Sequence, residues 1–150
     1  MPQSLHLLGA HIVFSTKDRQ PWLTKEIRPR VWAYLSRILQ NLECHSITVG
    51  GVEDHIHILC NLTKKHATMK VMEVVKKDSS KFLKTLDPKL ASFHWQDGYA
   101  LFGVSPSHRE AVHKYILNQE EHHRSETFRE EVLRFLKRYG VEDDERYLWD

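Results

Sequence analysis

Two β-prone runs, Ser46–Val52 and His55–Leu62, are separated only by Glu53 and Asp54. A connection that short joins antiparallel neighbours, because parallel strands need a crossover of about a dozen residues or more. The middle of the chain is therefore predicted to be a hairpin, and the flanking segments must add to it. Upstream, His11–Ser15 (HIVFS) is a β-prone run followed by a polar turn over Thr16–Pro21. Ile27, Val31, Tyr34, Leu35, Ile38 and Leu42 then recur at helical spacing, with Pro29 marking the helix start. Downstream, Thr68–Leu86 reads as a helix with Met72, Val75, Ser79, Phe82, Leu83 and Leu86 on one side. Ala100–Val104, after Gly98, is the fourth predicted strand. Ser105 and Pro106 predict a third helix running past Gln119, with Ser105 as its cap. Thr127 and Glu130 form a capping box for a last helix, which Gly140 ends.

The order β-α-β-β-α-β-α is that of an α+β, ferredoxin-like antiparallel sheet with a C-terminal helical extension. Helices are expected on one face, leaving the other face free for a ligand or a partner. Residues 1–150 are expected to form one domain, in which 120–150 is an acidic helix and tail. No apolar run approaches the ~20 residues that span a bilayer, and Met1–Gly9 lacks the pattern of a signal peptide, so the expected location is the cytoplasm. Two cysteines, Cys44 and Cys60, are too few for a disulfide framework or a four-thiolate zinc site and are expected to be free thiols. The net charge of +2 is unevenly placed: from Glu120 onward there are ten acids and six bases, which leaves +6 on the first 119 residues. A basic body suits a polyanionic ligand without naming it.

Three features carry chemistry. His55-Ile56-His57 puts two imidazoles on one face of a strand, where they can converge on one metal ion. The same motif also arises as two solvent-facing histidines on a half-buried strand. The other protein class that uses His-x-His in this way needs a barrel of ~250 residues, and this chain is too short. Tyr115 and Gln119, four residues apart, share a helix face. A lone Tyr115 would fit a core position beside Val112 and Ile116, but a buried amide at Gln119 needs polar partners. His122 and His123 extend that helix as further candidate ligands, ranked below Gln119. His11, His45, His66, His94, His108 and His113 show no spacing that suggests a site. The third feature is a lysine stripe. Lys70, Lys77, Lys81 and Lys84 lie opposite the apolar side of the Thr68–Leu86 helix and are read as a phosphate-tracking surface rather than a solvated face.

Together these residues resemble the single-tyrosine HUH transposases. Asp54-His55-Ile56-His57 is similar to their His-hydrophobe-His motif, and Tyr115-Ile-Leu-Asn-Gln119 to their Tyr-x-x-x-Gln helix. The resemblance extends to His11-Ile-Val-Phe-Ser-Thr16, Trp95-Gln-Asp-Gly-Tyr99, Glu120-Glu-His-His123 and Arg146-Tyr-Leu-Trp-Asp150. It implies Tyr115 as nucleophile, and His55, His57 and Gln119 as ligands of Mg2+ or Mn2+. It further implies cleavage and rejoining of single-stranded DNA at hairpin-bearing insertion-sequence ends through a 5′-phosphotyrosine link, in a homodimer with shared active sites. Two other readings compete: a non-catalytic single-stranded nucleic-acid-binding module of the same fold, and a small zinc hydrolase. Binding modules of this type use sheet aromatics for stacking, and here the sheet carries histidines instead.

Overall fold

The computed structural model describes residues 3–142. The chain runs β1 (Gly9–Ser15), α1 (Arg28–Asn41), β2 (His45–Gly51), β3 (His55–Asn61), α2 (Thr68–Leu86), β4 (Ala100–Gly103), α3 (Arg109–Leu117), α4 (Gln119–His122) and α5 (Phe128–Tyr139). The sheet order is β2-β3-β1-β4, antiparallel throughout. This is the α+β arrangement that the element order predicts. The Arg146–Asp150 part of the resemblance and most of the acidic tail lie outside the described residues.

Strand parity divides the side chains between two layers. Ala10, Ile12 and Phe14 of β1 and Ile56, Ile58 and Cys60 of β3 point to one face. There they pack against Val31, Leu35, Ile38 and Leu39 of α1 and Val71, Met72, Val75 and Leu83 of α2. Cys44 and Cys60 are free and buried. The residues of opposite parity, among them His11, Val13, His55 and His57, point to the second face.

That second face is not free, which corrects the sequence-based expectation. α5 packs over it: Phe128, Val132, Phe135 and Leu136 close on Val13 and Phe102. The predicted capping box is present, with Thr127 accepting from the Glu130 amide, and Gly140 ends α5 in the left-handed region at φ 66°. These caps were readable because they depend on neighbours in sequence. The docking face of α5 depends on its apolar stripe meeting the sheet. As a result His55 and His57 have no exposed surface at all.

The third helix also departs from prediction. Ser105 makes no side-chain cap, and Pro106–His108 is a short 3-10 turn before α3. The helix then breaks at Asn118, where φ −99° and ψ 21° interrupt the α-conformation between Leu117 and Gln119. α3 sits tightly on the sheet because β2 offers a glycine: a Cβ on Gly50 would lie 2.8 Å from Ile116 Cγ2 and 3.1 Å from the Ile116 carbonyl oxygen. Gly50 pairs with His57 in the β2–β3 ladder, so this contact sets how closely α3 approaches the His pair. Gly50→Ala is expected to push α3 outward, costing about 1–3 kcal/mol as overpacking does. Thermal melts measure that cost. A cleavage rate that falls further than the lost stability explains would show that the position of α3 matters to the site.

Candidate active site

His55 and His57 leave β3 on the face covered by α5, and α4 and α5 bring two more groups to them. The ligand atoms of His55, His57, His123 and Glu131 all lie within 4.8 Å of one another. Glu131 is at the centre and fully buried. Its Oε1 is 3.4 Å from His55 Nε2, 3.0 Å from His57 Nε2 and 3.3 Å from His123 Nε2. Gln119, also buried, places Oε1 3.2 Å from His55 Nε2 and 3.0 Å from His123 Nε2.

The outward nitrogens are anchored separately. His55 Nδ1 is 2.7 Å from Asp54 Oδ1, His57 Nδ1 is 2.8 Å from His11 Nε2, and His123 Nδ1 donates to the Glu126 carbonyl at 2.6 Å. Imidazoles held from behind at one nitrogen, with the other aimed at a common centre, are the pattern of metal-binding histidines. A buried carboxylate facing them supplies the negative charge a cation needs. An amide oxygen completes a nitrogen–oxygen donor set suited to a divalent ion. The donor chemistry therefore fits a divalent cation at this cluster.

Electrostatics agree with the geometry. Burial alone would raise the Glu131 carboxyl pKa, but hydrogen bonds from His123, His55 and His57 reverse that and hold it far below the usual carboxylate range. Burial lowers His55, yet its bonds to Asp54 and Glu131 prevail and raise its pKa to about 9. His57 is pushed down to about 4, mainly by burial, with Glu131 opposing. His11 is pushed down to about 3 by burial and by His57. His57 is thus held neutral beside a firmly ionised carboxylate, while His55 keeps its proton near neutral pH and would give it up to a cation bound in its place.

Tyr115 sits at the edge of this cluster. Its hydroxyl donates to Glu131 Oε2, lies 3.0 Å from His122 Nε2 and accepts from Arg134 Nη2 at 2.9 Å. Arg134 is itself held by both Glu126 oxygens, at 3.0 and 3.2 Å. Burial and the Glu131 charge raise the Tyr115 pKa, and the Arg134 guanidinium works against them. As arranged, the phenol stays protonated. Positive charge gained near Glu131 would relieve the repulsion that keeps it so.

Of the residues singled out by sequence, Tyr115, His55, His57 and Gln119 come together here. Lys70, Lys77, Lys81 and Lys84 do not. They are exposed on the outer side of α2, which packs on the opposite face of the sheet from the histidines. Sequence reasoning ranked His123 low, dismissed His11 and missed Glu131 and Arg134. One signal for Glu131 was available: it stands within the apolar stripe Phe128, Val132, Phe135 and Leu136 of an amphipathic helix. Among the described residues, the four groups of the cluster come from β3, the segment after α4 and α5 of the same chain.

Residues 4–119 match the family described as IS200-like transposases. The chain belongs to this family. This IS200-like transposase is similar to the ISDra2 transposase TnpA of Deinococcus radiodurans, at 24% identity over 122 residues, 78% of this chain and 87% of the relative. Its fold matches a crystal structure of a protein assigned as a transposase from Deinococcus radiodurans R1, with TM-score 0.62 and 21% identity over 79% of this chain and 98% of that one. It also matches a REP-associated tyrosine transposase bound to a REP hairpin, with TM-score 0.60 and 10% identity over 82% and 72% of the two chains. It is thus a single-tyrosine transposase acting on single-stranded DNA. Among the described residues, no helix is long and apolar enough to cross a membrane. α5, which carries Glu131 and Arg134, lies beyond the residues matched to the family.

Proposed function

We propose that this transposase cleaves and rejoins single-stranded DNA through a covalent link between Tyr115 and the DNA 5′ phosphate, with Mg2+ or Mn2+ held by His55, His57, Gln119, His123 and Glu131. The observation that carries the proposal is the convergence of the Tyr115 hydroxyl and three anchored imidazoles on one buried carboxylate. A divalent ion bound there would neutralise charge building on the phosphoryl oxygens.

The chain's own residues do the rest. Arg134 and His122 fix the direction of the Tyr115 oxygen. The Tyr115 proton passes to His122 Nε2, 3.0 Å away, as the oxygen attacks phosphorus. The new Tyr–O–P bond forms as the P–O3′ bond breaks, and the departing 3′ oxygen takes up a proton. Because one phosphodiester is exchanged for another, a second 3′-hydroxyl can reverse the step and join new ends without ATP. A hydrolase that released a free 5′ phosphate could not do this.

We further propose that the substrates carry hairpins near the cleaved ends. The name of the relative bound to a REP hairpin supports this part. The homodimer expected from the resemblance is compatible with the proposal but not required by it, since one chain carries every residue named. The lysines of α2 would act only on DNA that wraps past the sheet edge.

The test uses one oligonucleotide spanning an element end, labelled at either its 5′ or its 3′ terminus and resolved on a denaturing gel after incubation with Mn2+. The 3′-labelled strand should shift to a protein-linked species, and the 5′-labelled strand should be released as a shorter free fragment. Protein attached to the 5′-labelled fragment would reverse the polarity and refute the proposed link. Free fragments from both labels would point instead to a hydrolase.

A further inference from the structure

A cavity of about 450 Å³ opens beside Tyr115, between α3, the end of β4 and α5. Its size falls in the range of small-ligand sites, roughly 300–1,000 Å³. Tyr115, Val112, Arg134, Phe135, Arg138 and Tyr139 are among the residues that line it. The lining pairs two guanidinium groups with a flat aromatic surface. Tyr139 stacks on Phe102 at 4.7 Å between centroids and 13° between planes, yet keeps 43% of its surface exposed. Arg134 lies over the Phe135 ring at 4.8 Å while its Nη2 reaches the Tyr115 oxygen. Phosphate is the ligand chemistry that guanidinium groups suit. A nucleobase is what an exposed aromatic surface beside them accepts.

From this we infer that α5 builds a nucleotide pocket for the DNA residue immediately 3′ of the scissile phosphate, the one that stays attached to Tyr115. The inference rests on the Tyr115 reading above and adds the identity of the group held next to it. Its direction follows from the displacement geometry. Attacking and leaving oxygens lie roughly in line through phosphorus, so the departing 3′ oxygen and the upstream nucleotide sit on the far side of phosphorus from Tyr115. The downstream nucleoside, joined through its 5′ oxygen, can turn back toward Tyr115 and enter the cavity. Held there by stacking and by Arg134 and Arg138, it would keep the cleaved end in place until a 3′-hydroxyl arrives. Sequence preference should be weak, because every base offers a face for stacking.

Binding tests this without any bond being cut, so the outcome is independent of whether Tyr115 is the nucleophile. The probe is a 5′-phosphorylated oligothymidylate carrying fluorescein at its 3′ end, compared by anisotropy with a copy whose first nucleotide lacks its base. Wild-type protein should bind the abasic copy about tenfold more weakly, as expected for loss of one stacked base. Tyr139→Ala, at an exposed position, and Val112→Trp, which fills the cavity, should each reduce that difference to under about twofold, in line with loss of the same stacking contact. Replacing the first base by 5-iodouracil and irradiating should place the crosslink on Phe135 or Tyr139. A wild-type difference of less than twofold would overturn the inference, as would a tenfold difference that survives both substitutions or a crosslink on α2.

Discussion

Tyr115→Phe is expected to bind single-stranded DNA within about twofold of wild type and to lose cleavage by at least about a thousandfold, as nucleophile removal does. The substitution removes one oxygen and leaves the ring in its contacts with His57, His122 and Phe135, at centroid distances of 5.9, 4.9 and 5.8 Å. It also removes the partner to which Arg134 and Glu131 are bonded. Arg134 remains held by Glu126, and Glu131 remains bonded by His57 and His123, so the fold should be unaffected. Single-turnover cleavage of a labelled oligonucleotide, with anisotropy on the same strand, separates the two effects. Loss of binding in parallel with cleavage would recast Tyr115 as a structural or DNA-contacting residue. Retained cleavage would move the nucleophile elsewhere.

Glu131→Gln carries the second large effect. Glutamine keeps the volume and one oxygen but removes the carboxylate charge that faces all of His55, His57 and His123. Mn2+ affinity, read by calorimetry, should fall about a hundredfold or more. That exceeds the upper part of the roughly 10–100-fold cost of losing a supporting group around a metal, because this group faces the centre itself. Cleavage should fall with it. Glu131→Ala should in addition destabilise the fold by about 3–5 kcal/mol, since it strips a fully buried ionic cluster of its partner. The ion should raise the melting temperature of wild type and raise it much less in Glu131→Gln, because ligand binding to the native state stabilises by mass action. Unchanged Mn2+ affinity in Glu131→Gln would show that Glu131 only pairs the histidines and takes no part in holding the ion.

The contrast between what could and could not be read in advance has a physical basis. α2 was expected over Thr68–Leu86 and occupies those residues, because a long amphipathic repeat needs no tertiary information. The capping box of α5 and its terminal Gly140 depend on groups within a few residues of one another. His55 and His57 share a face because strand parity demands it. By contrast, His11 stands 46 residues from His57, and their contact exists only because β1 and β3 pair with Val13 opposite His57. The break at Asn118 reflects tertiary contacts that local propensity does not record: α3 rests on Gly50 while Gln119 turns inward to the histidines. Glu131 was legible only as an acid in an apolar stripe, and its role appeared once α5 was seen to cover the sheet face that was expected to be free. The same covering turns His55 and His57 from surface ligands into fully buried ones, so His57→Ala should cost stability as well as metal.

Peptide mapping of the covalent product addresses the central claim most directly. Wild-type protein is incubated with Mn2+ and an element-end oligonucleotide, digested with nuclease and protease, and analysed by mass spectrometry. The account predicts one modified peptide, containing Tyr115, with a nucleoside 5′-phosphate bonded to the tyrosine oxygen. A nucleotide found on any other side chain, or complete cleavage with no modified peptide, would contradict it.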